Sequence, residues 1–110
     1  MDAITKKIDE IAGDYVNEVK KHINVSKAYL YGSYAKGTSD DGSDLDIAIF
    51  SDNFREKRHI EVNTFLFSLA RKYKKICIEP IGFTDSDTEN NNPFVREIIK
   101  TGKEITIITY

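Results

Sequence analysis

The chain has 110 residues, the size of one domain, able to bury about two-thirds of its surface in a single core and too short for two. It is 40% hydrophobic and 31% charged with a formal net charge of -2, which gives no overall pull toward nucleic acid or an anionic membrane. No apolar run is long enough to span a bilayer or to read as a secretion signal, and the single cysteine, Cys77, excludes an internal disulfide, so the expected setting is cytoplasmic.

From the N-terminus, Ile4, Ile8, Ile11, Tyr15, Val19 and Ile23 recur at helical spacing and predict one amphipathic helix over about Asp2 to His22. Gly13 weakens it without breaking the pattern, and His22 reads as a helix-end residue. Lys27 to Tyr31 is β-prone and delivers the chain to Gly32; Tyr29 and Tyr31 share a face and read as packing residues rather than base-stacking ones. Leu45 to Phe50 is short and β-branched, a strand. Ser51 to Arg55 is a polar connection. A second helix over about Glu56 to Lys74 follows, buried along Val62, Phe65, Leu66, Leu69 and Tyr73.

Off that stripe, Ile60 and Phe67 face either a partner or the margin of a wide core, and His59 is solvated. Arg71, Lys72, Lys74 and Lys75 read as a basic helix end before a nucleic-acid patch, so direct nucleic-acid binding is not expected. Ile76 to Phe83 is a third strand, and Thr84 to Asn92 an acidic surface loop. Asn92-Pro93 supplies an N-cap and first helical position for a last helix with Phe94, Val95, Ile98 and Ile99 inward and Gly102 past its end. Glu104 to Thr109 closes the chain as an edge strand or an extended tail. This order predicts an α/β (α+β) fold, a small mixed sheet with helices packed on one face and acids on the other.

The chemistry gathers in Gly32-Ser33-Tyr34-Ala35-Lys36-Gly37-Thr38-Ser39-Asp40-Asp41-Gly42-Ser43-Asp44-Leu45-Asp46. Strand alternation sends Asp44 and Asp46 to one side and Leu45, Ile47 and Ile49 to the other. Two ionised carboxylates roughly 4 Å apart repel by about 4 kcal/mol at an effective dielectric near 20, so the pair calls for a cation or a shared proton. Carboxylate oxygens suit magnesium, which keeps waters and substrate phosphates in its remaining positions. Upstream, Gly32 lets a phosphate approach the backbone, Ser33 offers a hydroxyl and an amide, and Lys36 either touches a triphosphate oxygen or is plainly solvated.

Other readings of the stretch fit less well. A P-loop needs lysine where Thr38 stands, and the acids Asp40, Asp41, Asp44 and Asp46 do not fall into an EF-hand frame. A solvated acidic loop leaves Asp46, inside the apolar run, unexplained. Further on, Glu79 is a carboxylate amid apolar strand residues, costly there unless paired in a salt bridge or metal-bound, and Pro80 after it suggests a strand end or bulge.

Gly32-Ser33, ten residues, then Asp44-Leu45-Asp46 resembles the signature of the polymerase-beta-like nucleotidyltransferases, in particular the minimal nucleotidyltransferase (MNT) group. The resemblance covers most of the chain and implies one such domain over residues 1–110, with Gly32 and Ser33 on the nucleotide phosphates and Asp44 and Asp46 on metal. Glu79 stands where that family keeps its third carboxylate, although the commoner residue there is aspartate. The resemblance further implies two magnesium ions, ATP as donor, and pairing with a small helical HEPN protein, as an antitoxin that adenylylates a tyrosine of that toxin. Two rivals belong to other classes: a non-catalytic binding partner of a HEPN protein, and a homodimeric small-molecule transferase of the aminoglycoside-modifying kind.

Overall fold

The computed structural model describes residues 3–32, 44–74, 76–88 and 92–106. Helix α1 (Ala3–Lys20) buries Ile8, Ala12, Tyr15, Val16 and Val19, a single stripe at helical spacing, with Ile11 and Ile23 at its margin. Strands β1 (Lys27–Tyr31) and β2 (Leu45–Phe50) occupy the expected residues and pair antiparallel, from Lys27 opposite Phe50 to Tyr31 opposite Asp46. After β2 a short 3-10 turn (Asp52–Phe54) is capped by the Ser51 hydroxyl, which accepts the Asn53 N–H, and it buries Phe54.

Helix α2 (His59–Ala70) is shorter than its periodicity predicts at both ends. At the start, Phe54 already belongs to the core and Glu56 takes a left-handed backbone (φ 67), which no helix can include. At the end the chain leaves the helical path and carries Tyr73 to α1, where its hydroxyl donates to Asp14 (2.6 Å) and its ring meets Tyr15 edge-on. Strand β3 (Ile78–Phe83) then runs parallel to β2, Leu45 beside Ile78 through Phe50 beside Phe83. Pro80 is tolerated because β3 lies at the sheet edge. Helix α3 (Pro93–Thr101) starts as expected, with the Asn92 side chain accepting the N–H groups of Phe94 and Val95, and β4 (Lys103–Glu104) pairs with β1. The four strands form one mixed sheet in the order β3-β2-β1-β4.

Alternation along the strands divides the core in two. Ala28, Leu30, Leu45, Ile47, Ile49 and Ile78 pack beneath α1 and α2, whereas Tyr29, Ala48 and Phe50 pack beneath Val95 and Ile98 of α3. Two helices therefore share one face, as expected, and the third lies on the face that carries Asp46. The reason is the apolar remainder of that face: Tyr29, Ala48, Phe50, Ile81 and Phe83 need cover, and α3 supplies it. On α3 only Val95 and Ile98 turn inward; Phe94 and Ile99 stay 48% and 38% exposed. No helix among the described residues is long and apolar enough to cross a membrane.

Candidate functional site

The site forms where β1 ends and where β2 and β3 begin. Tyr31 is opposite Asp46, and Asp46 is beside Glu79, so register alone lays these three residues in a row across adjacent strands. Neighbours in register point to the same face, so all three stand on the side away from α1 and α2. Asp44 lies just before β2, and the Leu45 N–H bonds the Cys77 carbonyl (2.8 Å), tying that approach to the residues leading into β3. As a result ligand atoms of Asp44, Cys77 and Glu79 lie within 4.8 Å of one another.

Gly32 closes the row on the β1 side. Its backbone is left-handed (φ 77), and a Cβ there would run into the Asp46 carboxylate. The turn that the sequence marks for phosphate thus abuts one of the marked acids directly. Ser33 and Lys36, the other predicted phosphate contacts, lie outside the described residues.

Electrostatics record how crowded the acids are. Burial, and then the charge of Asp44, pushes the Asp46 carboxyl above its ordinary range. Glu79 is raised by desolvation first, then by the Asp44 charge and a side-chain hydrogen bond with Asp44, then by Asp46. Tyr31 is pushed up to about 12, mainly by burial and further by Asp46 and Glu79. Cys77 is raised by desolvation, Asp44 and Glu79, which disfavours its thiolate. A shared proton between Asp44 and Glu79 is one answer to such crowding, and a divalent cation is the other. The carboxylates fit magnesium, a hard ion that takes oxygen; the Cys77 thiol is too soft a donor to add to that set.

Asp44, Asp46 and Glu79, named from sequence, therefore come together, with Gly32 against them. Tyr31 packs against the core as expected and also borders the acids, and the lone thiol of Cys77 lies among them. Each carried a signal: Tyr31 directly precedes Gly32, and Cys77 sits two residues before Glu79, the strand repeat that puts both on one face. Across the sheet edge, a cleft of about 370 Å³ opens beside Cys77, lined by Phe67, Arg71, Tyr73, Lys74 and Ile78.

Residues 14–108 match the sequence profile of the family described as polymerase beta, nucleotidyltransferase. Among solved structures the chain is similar to a Sulfolobus solfataricus protein provisionally named a nucleotidyltransferase, with 22% identity, a TM-score of 0.61 and coverage of 77% of this chain and 74% of that one. It is similar also to a chain of a toxin-antitoxin crystallised with AMP-PNP, at 17% identity and a TM-score of 0.55, covering 88% of this chain and 74% of that one. A comparison with curated proteins finds no match.

Proposed function

The chain belongs to the polymerase beta nucleotidyltransferase family, and from that premise we propose that it moves AMP from ATP onto a hydroxyl acceptor. The observation that carries this reading is the approach of Asp44 to Glu79 at one end of the sheet, with Asp46 beside Glu79 in register and the Gly32 turn against Asp46. Asp44 and Asp46, with Glu79, would hold magnesium, two ions in full occupancy. A divalent ion held there would neutralise charge that builds on the phosphates during displacement.

The protein's own part is positioning and proton handling. The Gly32 turn, with Ser33 and Lys36 following it, holds the β- and γ-phosphates close to the backbone, which leaves the α-phosphate facing the acids. Glu79, whose carboxyl already ionises late, accepts the proton of the acceptor hydroxyl. The hydroxyl oxygen bonds to the α-phosphorus, the bond from that phosphorus to the bridging oxygen breaks, and pyrophosphate leaves with the electron pair.

The acceptor in this reading is a tyrosine of a helical HEPN-type partner, so that the chain acts as an antitoxin. Support comes from the MNT-like spacing of Gly32, Ser33, Asp44 and Asp46 and from the fold it shares with a chain of a toxin-antitoxin structure. The test is mass-detected addition of AMP to a co-expressed HEPN protein in the presence of ATP and magnesium. Addition should vanish in a folded Asp44→Asn, Asp46→Asn double variant; persistence of transfer in that variant would refute the reading.

A further inference from the structure

Among the described residues on the face that carries the acids, a large apolar side chain is left half open next to Tyr31. Phe94 opens α3 and is 48% exposed, whereas its neighbour Val95 is 1% exposed and Ile98 2%. Its ring is held from two sides. Tyr31 meets it edge-on at 5.9 Å and 85°, and Phe83 lies tilted against it at 6.0 Å. Phe83 stacks in turn on Phe50 (5.3 Å, 26°), so the ring belongs to an aromatic row anchored in the core.

Tyr31 joins this row to the chemistry. It pairs with Asp46 across β1 and β2, and its hydroxyl feels the charges of both Asp46 and Glu79. Phe94 therefore stands one aromatic ring beyond the carboxylates. If the α-phosphate lies at the acids, the ribose comes next and a flat, apolar nucleobase after it.

We infer that Phe94, backed by Tyr31 and Phe83, is the platform on which the base of the donor nucleotide stacks, and so a donor-positioning residue of this site. The inference rests on the proposed nucleotidyl transfer. A half-open ring already held by two neighbouring rings has less to lose in being ordered on binding, and base–aromatic stacking is strong and tolerant of base identity. The cleft beside Cys77 is the competing location, because Cys77 borders both it and the acids, although its Phe67, Ala70 and Ile78 belong to α2 and to the β3 residues that face it, across the sheet edge from Asp46 and Glu79.

The chain contains no tryptophan, so Phe94→Trp places a single indole at the platform. Titration of that variant with ATP and magnesium should quench the indole, whereas tripolyphosphate, which has no base, should bind by calorimetry without quenching. Phe94→Leu, which keeps an apolar side chain and leaves Val95 and Ile98 in place, should lose roughly five- to a hundredfold in ATP affinity with tripolyphosphate affinity unchanged. Phe67→Ala, in the competing cleft, should bind both as the parent does. Unchanged ATP affinity in Phe94→Leu, or loss of it in Phe67→Ala alone, overturns the platform while leaving nucleotidyl transfer standing. Failure of the parent chain to bind either ATP or tripolyphosphate overturns both.

Discussion

At Gly32 the left-handed backbone and the Asp46 carboxylate together leave no room for a side chain. Gly32→Ala would impose a side chain on a left-handed backbone, costing about 1–2 kcal/mol, and would also push the Asp46 carboxylate away. Urea denaturation should show that loss, and magnesium affinity should fall well beyond what the stability change explains. Proton linkage gives a second expectation. Asp46 and Glu79 ionise above their ordinary values of 3.8 and 4.5, so the folded metal-free chain holds extra protons between those values and the raised ones. That contribution to stability is complete below the window and is lost as pH rises through it. Glu79→Gln should flatten the decline, and magnesium should reverse it above the window; thermal melts across pH with and without the ion read both. Asp44 and Asp46 were legible because strand alternation is local. Tyr31 and Cys77 carried only the weaker local signals of adjoining Gly32 and of standing one strand repeat before Glu79, and their meeting with the acids depends on which residues face each other across strands.

Helices α2 and α3 show which boundaries a sequence writes down. The start of α3 is chemical: Asn92 accepts two orphan N–H groups and Pro93 fits the first turn, so pattern and structure agree. Asn92→Ala should cost about 1 kcal/mol in chemical denaturation. The start of α2 carries no side-chain cap on Arg58, and the charged run from Arg55 to Arg58 holds no stop signal, although Glu56, two residues after the buried Phe54, takes a left-handed backbone. The face that α3 covers was also hidden, because Ala48 and Phe50 show only that the second face of β2 is apolar, not what lies on it. Close packing of α2 on β3 yields a further expectation. A Cβ at Gly82 would press on Val62 and Phe54, so Gly82→Ala should destabilise by about 1–3 kcal/mol and raise the unfolding rate. On the outer side of α2, Ile60 and Phe67 remain 66% and 38% exposed, which leaves an apolar margin clear of the core.

At the scale of the whole molecule, the two helices behind the sheet are locked by one buried polar contact, the Tyr15 hydroxyl donating to the Leu66 carbonyl at 2.9 Å. Tyr15→Phe removes that bond while the Leu66 carbonyl keeps its partner within α2, and it should lower stability by about 1 kcal/mol in urea, with the site's ion affinity intact. The class of fold and the order of its strands' contributions followed from periodicity and from the family signature, which together specify a mixed sheet with acids gathered at one end. Layering did not follow, because it depends on long-range burial. The parallel pairing of β2 with β3 has one more effect. Asp44 and Asp46 are separated from Glu79 by the whole of α2, so the third carboxylate reaches the other two only when the crossover through that helix has closed. During refolding, ion capture should lag behind helix formation and coincide with the last cooperative step, which makes a bound divalent ion a clock for completion of the chain's topology.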